Sequence, residues 1–387
     1  MSEPGGSSAY SFGNLLLYFF RLGATGFGGP IALVGYMQRD LVEGRQWLTK
    51  EQYRRGLALA QLAPGPLAAQ LAIYFGFMKR GILGATLVGF AFILPSFVMV
   101  VVIGMVYKLY GGFEWMQAVF YGIGAGVIGI IVKSAYRLAT VTLKKRALLW
   151  AIFSVLFIIT AFTEQEIVWL FLLSGFVALF VFAPPRFLTK LNGFVPAMAL
   201  MLGEPRRSPQ LDVLTKIFLY FAKAGAFVFG SGLAIVPFLH GGVVQDYHWL
   251  NERQFLDAVA VAMITPGPVV ITVGFIGYLV SGFPGAVAAA LGVFLPVYLF
   301  VVLPAPYIER YAHNQKLVAF VDGITAAATG AIAGAVVVLG RRAITDIPTG
   351  AIAIVMLALH VRFKIPEPLL IFGAAVAGLL LFQFTHS

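Results

Sequence analysis

Ala63-Pro64-Gly65-Pro66 and Thr265-Pro266-Gly267-Pro268 are two copies of one motif, separated by a constant numbering offset from Pro64 to Pro266. The same offset pairs Gly23 with Gly225 and Arg21 with Lys223. The chain therefore contains two related halves, each interrupted by proline and glycine at matching places. Paired interruptions of apolar segments are typical of binding sites in membrane transport proteins.

The composition is that of a membrane protein. Hydrophobic residues make up 60% of the 387 residues and charged residues 11%, against about 45–50% and about 25% in soluble domains. Apolar stretches at 84–107, 115–132, 318–340 and 368–384 approach the roughly 20 residues that cross a bilayer. We therefore expect an all-α polytopic membrane protein. Its net charge of +11 fits cationic loops on the cytoplasmic side, so nucleic acid is not an expected partner.

Loop charges indicate how each proline motif enters the membrane. Loop 38–55 is basic, and Lys79 and Arg80 follow the first motif closely. A straight span between them would place the two basic groups on opposite sides, whereas a re-entrant hairpin places both on the cytoplasmic side, as the positive-inside rule prefers. The first motif is therefore predicted to form the tip of a re-entrant hairpin.

The matching loop in the second half has the opposite charge. Loop 240–257 carries Asp246, Glu252 and Asp257 against the single Arg253, as expected if it lies on the other side of the membrane. The sequence therefore predicts two inverted repeats, with about ten spanning helices and two re-entrant Pro-Gly-Pro hairpins. We place the N-terminal transporter repeat at 1–190, a linker at 191–212 and the C-terminal repeat at 213–387.

The interruptions are predicted to form an anion site. Each Pro-Gly-Pro leaves a helix beginning inside the membrane, and the free N–H groups and partial positive charge of a helix N-terminus bind oxyanions. Glycine lets an anion approach the backbone closely, and nearby hydroxyl and amide groups add donors. The candidate residues are Thr25, Gly28, Gly29, Pro30, Gln61, Pro64, Gly65, Pro66, Gly230, Ser231, Gly232, Thr265, Pro266, Gly267 and Pro268.

Four ionisable residues each allow two interpretations of their role. Arg21 and Lys223 lie in apolar segments just before the glycine interruptions, where a cation costs about 2.5–3.5 kcal/mol on insertion scales. They either attract a dianion to the site or extend to lipid headgroups. Asp257 and Glu51 precede the two motifs and are either proton carriers or solvated charges at a loop edge.

Several classes of function are disfavoured. The chain has no cysteine, which excludes disulfides and cysteine metal sites. The apolar region has no His/Asp/Glu ligand spacing, no phosphate-binding loop and no Ser/His/Asp set. We therefore expect no enzyme activity, no cofactor and no metal.

The doubled motif resembles the chromate ion transporter family. The resemblance is carried by Phe27-Gly28-Gly29-Pro30, the Trp47-Leu48 loop and the two Pro-Gly-Pro segments, and it covers both halves. It implies a long, two-domain transporter in the cell inner membrane that exports chromate from bacterial cytoplasm and gives chromate resistance. The second half departs from the pattern at Gly230-Ser231-Gly232, which leaves open whether the halves contribute equally.

Other functions remain open on the sequence. The transported ion could instead be sulfate or another oxyanion. From a different class, a lipid scramblase or a membrane scaffold also uses re-entrant hairpins. The expected partners are chromate or a similar tetrahedral oxyanion and the lipid bilayer, with proton coupling and a homodimer as further expectations.

Overall fold

The structure is a computed structural model. It describes residues 10–27, 29–110, 114–143, 146–163, 168–183, 213–227, 235–307, 314–363, 365 and 367–385. Within these ranges the chain forms helices and short connections and contains no strand. The predicted linker 191–212 lies outside the described residues.

The described part of the first half contains seven α-helices, with a π-helical turn at Gln38–Gly44 after the second. They are α1 (Phe12–Thr25), α2 (Gly29–Met37), α3 (Lys50–Leu62), α4 (Leu67–Tyr110), α5 (Glu114–Leu143), α6 (Ala147–Thr163) and α7 (Val168–Phe182).

The described part of the second half follows the same order, with its π-helical turn at Gly241–Asp246. Its helices are α8 (Val213–Phe227), α9 (Ile235–His240), α10 (Glu252–Ile264), α11 (Thr272–Val302), α12 (Gln315–Ala343), α13 (Ile347–Phe363) and α14 (Glu367–Thr385). A 3-10 helix, Val269–Ile271, precedes α11.

The helices that lead into the two proline motifs, α3 and α10, begin with matching N-caps. Thr49 and Asn251 each accept a hydrogen bond from the backbone N–H three residues later. In turn Gln52 and Gln254 accept one from the backbone N–H of the cap. These reciprocal bonds satisfy donors that a helix start leaves free. They fix where each arm, α3 and α10, leaves its polar loop.

The long helices α4 and α11 are each bent at an equivalent point. Arg80-Gly81 has φ −147° and 57°, and Ser281-Gly282 has φ −141° and 63°. Each helix therefore consists of a short segment after the proline motif and a long segment after the bend.

After the proline motifs the register between the halves shifts by one residue, and this shift occurs at the 3-10 helix. Nine residues separate Pro66 from Gly76, but only eight separate Pro268 from Gly277. Three residues of 3-10 helix rise about 6 Å, as do four residues of α-helix. The tighter winding at Val269–Ile271 therefore compensates for the missing residue.

The chain turns back on itself at the first proline motif. Gly56 lies nine residues before Gly65, and it packs against Tyr74, nine residues after Gly65. The rings of Tyr53 and Phe75 also meet, with centroids 5.6 Å apart. α3 and the first segment of α4 thus run antiparallel, with the motif at the tip of the hairpin.

The two halves are interlocked in the core. Within each half the first helix packs on the long bent helix, α1 on α4 and α8 on α11, and α4 packs on α11 between the halves. The last helices cross over: α6 and α7 pack on α12 of the second half, while α13 and α14 pack on α5 of the first. Neither half buries its apolar surfaces alone.

Several helices are long and apolar enough to cross a membrane. Within the described residues, four helices are both long enough and apolar enough: Leu67–Tyr110, Glu114–Lys133, Val269–Tyr307 and Gln315–Ala343. Four shorter apolar helices accompany them: Ala147–Thr163, Trp169–Phe182, Ile347–Phe363 and Glu367–Phe382. The predicted all-α polytopic class is confirmed, whereas the count of about ten spans stays a prediction.

Candidate functional site

The tip of the second hairpin is bonded directly to the first half. The backbone N–H of Gly267 donates to the carbonyl oxygen of Gly26, at 2.9 Å. Gly26 follows the last residue of α1, within the predicted glycine interruption. One interruption from each half therefore takes part in a single contact in the core.

Ser96 supports this contact from α4. It is fully buried, and its hydroxyl donates to the carbonyl oxygen of Gly23 at 3.0 Å. Gly267 has φ +92°, and a Cβ at this position would collide with Ser96 Oγ. The tip therefore requires glycine both for its backbone conformation and for its space.

The tip of the first hairpin lies against the other half in the equivalent way. Gly65 has φ +139°, and a Cβ there would lie 3.1 Å from Val297 Cγ1 on α11. Val297 is the counterpart of Ser96 after the one-residue shift. Each tip thus packs on the long helix of the opposite half, beside a hydroxyl in one case and a methyl group in the other.

Gln70 organises the polar groups at the first tip. It is fully buried, and its Nε2 donates to the carbonyl oxygens of Pro64 at 2.8 Å and Ala63 at 3.1 Å. These two acceptors identify the amide nitrogen, so Oε1 faces elsewhere, and it accepts no hydrogen bond from the described protein. Gln70 therefore satisfies two carbonyl oxygens of the tip.

The start of α4 offers backbone donors at the same place. α4 begins at Leu67, directly after Pro66, and its first backbone bond runs from Gln70 N–H to Pro66 O. The N–H groups of the preceding turn have no acceptor within the helix. Ala68 and Ala69 in this turn are buried, so these donors face the protein interior.

The two predicted threonine donors bond to their own helices. Thr265 is buried and its hydroxyl donates to Val261 O at 2.7 Å, while Thr25 is exposed and donates to Arg21 O at 2.9 Å. Each hydroxyl would have to rotate to donate to a ligand.

The predicted cations are not at the buried tips. Arg21 and Lys223 are both exposed. Gln61, which was predicted as an uncharged donor, is also exposed. Arg21 lies on the face of α1 opposite the buried Leu22 and Phe19. These residues are placed at the surface beside the interruptions.

The other predicted residues divide into three groups. Gly65, Pro66, Pro266, Gly267 and Pro268 are buried at the two tips, and Pro64 is half-buried. Gly29 and Pro30 begin α2. Gly28, Gly230, Ser231 and Gly232 lie outside the described residues.

Sequence reasoning missed Gln70 and Ser96. Both are isolated polar residues inside apolar helices, and a buried polar group requires a partner. That signal could have selected them, because each follows a proline at a short distance. In the part of the chain that the structure describes, no group of three or more His, Asp or Glu residues is placed to hold a metal ion.

These features define a multi-pass membrane protein whose two halves meet at broken helices in the core. The family model for chromate transporters matches residues 13–179 and 215–379, one stretch in each half. The chain belongs to the chromate transporter family.

Two full-length relatives are highly similar to this chain. It is 58% identical to a chromate transport protein of Cupriavidus metallidurans over 97% of its own length and 95% of the relative's. It is 57% identical to a probable chromate transport protein of Synechococcus elongatus over 96% of each. A chromate transport protein of Pseudomonas aeruginosa is 29% identical over 96% of this chain and 93% of the relative. No solved structure matches the chain.

Proposed function

We propose that this protein is a secondary transporter that exports chromate across the bacterial inner membrane and thereby confers chromate resistance. Its family and the names of its relatives support the substrate. The observation that carries the mechanism is the hydrogen bond from Gly267 N–H to Gly26 O, which joins a hairpin tip of one half to the glycine interruption of the other.

In this proposal the halves are inverted repeats, with about ten spans and two re-entrant hairpins that enter from opposite faces. The tetrahedral anion binds where the tips meet, held by the N–H groups at the start of α4 and by the glycine backbone. Movement of packed helix bundles around the tips opens the site to each side in turn. No covalent step is assigned to the chain.

In this proposal the exposed cations lie at the two entrances of the transport path. There the exposed side chains of Arg21 and Lys223 attract an anion from water toward the adjacent interruption. Thr25, Gln61 and the glycines next to them then form the path from the entrance to the tips.

Flux measurements test the substrate. Purified protein in liposomes should release labelled chromate down its gradient, and cells that express it should accumulate less chromate than cells without it. Sulfate and molybdate are added as competitors, and flux of whichever ion inhibits more strongly than chromate itself would identify that ion as the substrate. Movement of fluorescent lipid without any oxyanion flux would replace the transporter proposal with a scramblase.

Single substitutions test the entrance cations. Arg21→Gln and Lys223→Gln should each slow chromate flux while protein levels stay normal. Lys216→Gln is the matched control, because Lys216 is exposed on α8 about two turns before Lys223. Normal flux in both variants would remove these residues from the mechanism.

A further inference from the structure

One carboxyl group lies inside the second hairpin. Asp257, on α10, is 4% exposed. No other Asp or Glu among the described residues is buried. Glu51, on the equivalent arm of the first hairpin, is exposed and lies within 4 Å of Arg54 and Arg55. The two acidic residues singled out from the sequence therefore have opposite surroundings.

Tyr107 holds the buried carboxyl group from the other half. Its hydroxyl, near the end of α4, donates to Asp257 Oδ2 at 2.6 Å. The Tyr107 ring is enclosed by Phe120 and Phe275, with centroid distances of 5.4 and 5.5 Å. Such surroundings penalise a charged carboxylate, and the tyrosine hydroxyl can bond either protonation state.

Charged groups around Asp257 are few and lie toward the loop. Arg253 is one turn earlier on α10, exposed, and donates to Gln117 on α5. On α12, Arg342 pairs with Glu252 at the start of α10. Among the described side chains, the helices packed against α10 carry these further ionisable groups: Tyr74, Lys79, Arg80, Lys108 and Tyr110 on α4, Glu114, Tyr121, Lys133 and Tyr136 on α5, Tyr278 and Tyr298 on α11, Lys316, Asp322 and Arg341 on α12, and Glu367 on α14.

The pair is present in one half only. The sequence counterpart of Asp257 is Arg55, which is half-buried and pairs with Glu51 at 3.4 Å, and the counterpart of Tyr107 is Ile308. A single buried carboxyl group on one of two equivalent hairpins breaks the symmetry between the halves. Among the described residues, it provides one buried carboxyl group that can bind a proton.

We propose that Asp257 is the proton-binding residue of the transport cycle and that Tyr107 is its positioning residue. This inference rests on the proposed transport function. Asp257 binds a proton through a new O–H bond on one carboxylate oxygen and later releases it to water. Loss of its negative charge strengthens anion binding at the hairpin tip.

The size of this coupling follows from the helix geometry. Asp257 and Thr265 are eight positions apart, which corresponds to about 12 Å along α10. At an effective dielectric constant of about 20, removing a unit charge at this distance changes anion affinity about tenfold for each charge on the anion. Flux should therefore rise as the pH falls on the side from which the anion binds. Export of a dianion with one proton still carries one negative charge outward, in the direction that the membrane potential drives.

The test compares variants of the full-length protein in liposomes, with labelled chromate as the probe. Wild-type protein should show faster flux at acidic than at neutral pH, and a pH gradient should drive chromate accumulation. Asp257→Asn should keep equilibrium exchange of chromate but lose both the pH dependence and the accumulation. Because chromate itself titrates, the difference between variant and wild type is the informative quantity.

Three further variants complete the test. Glu51→Gln is the matched control and should behave as wild type, Asp257→Glu should restore pH dependence, and Tyr107→Phe should shift the pH profile without abolishing exchange. If Asp257→Asn does not fold, Tyr107→Phe with an unchanged profile overturns the inference. Wild-type flux that ignores pH, or pH dependence retained in Asp257→Asn, overturns it while leaving transport intact; absence of any oxyanion flux overturns both.

Discussion

Gly267 joins the tip of the second hairpin to the first half. Its N–H is bonded to Gly26 O, its φ is positive, and Ser96 occupies the space next to its Cα. These three constraints act on one backbone position. A side chain there would strain the tip and displace it from the first half.

Gly267→Ala should therefore destabilise the protein by at least about 1–2 kcal/mol, the cost of the left-handed backbone alone, and should reduce chromate flux strongly. Thermal unfolding of the purified protein and flux in liposomes measure the two effects. Gly124→Ala is the control, because an added Cβ there meets nothing within 4 Å. Equal behaviour of the two variants would contradict the packing described for the tip.

Polar residues at the tips were only partly predictable from the sequence. The prolines and glycines identified the interruption because they limit which backbone conformations are possible. Gln70 and Ser96 were missed, since their partners are carbonyl oxygens of a non-helical backbone. The positions of those carbonyls become known only when the hairpin is built.

At the scale of elements, the hairpins and the interrupted first helices follow the sequence closely. α1 ends at Thr25 and α2 begins at Gly29, as the glycine run predicts, and α3 ends directly before the first motif. The cap residues Thr49 and Asn251 also mark the helix starts. Local signals of this kind are strong because capping and proline geometry depend on a few neighbouring residues.

The orientation of the hairpins gives a prediction at the same scale. The chain has no cysteine, so any introduced cysteine is the only thiol. Asp246→Cys in the second loop should react with a membrane-impermeant maleimide in intact cells, whereas Glu43→Cys in the first loop should react only after lysis. Both side chains are exposed, so access to the thiol should depend on the side of the membrane alone.

Labelling of both thiols from the same side would exclude inverted repeats. It would also change the interpretation of the charges in loops 38–55 and 240–257. The hairpins would then enter the membrane from one face.

At the scale of the whole molecule, the exchange of the last helices between the halves could not be predicted. α6, α7, α13 and α14 are apolar over most of their surfaces. Lipid tails and packed helices are similarly apolar surroundings, so hydrophobicity does not indicate a partner. The contacts instead use small residues, such as Gly330 and Gly334 on α12, where added side chains would collide with Phe153 and Phe157 of α6.

This interlocking predicts how the divided chain behaves. Residues 1–212 and 213–387 expressed as separate polypeptides in the same cell should assemble and restore chromate flux. Either piece alone should be degraded or inactive, because the helices that cover α5 and α12 belong to the other piece. Copurification through a tag on one piece, together with flux, measures assembly. Stable, active single pieces would show that each half buries its own helices in another way.

During synthesis of the chain, α6 and α7 are made well before α12, the helix on which they pack. α7 ends at Phe182, but its partner helix begins at Gln315. At translation rates of about 5–20 residues per second, α6 and α7 remain in the membrane for on the order of ten seconds before α12 exists. During that interval the faces of α6 and α7 that later pack on α12 contact lipid or the membrane insertion machinery. The first half can therefore complete its packing only after the ribosome has synthesised α12 of the second half.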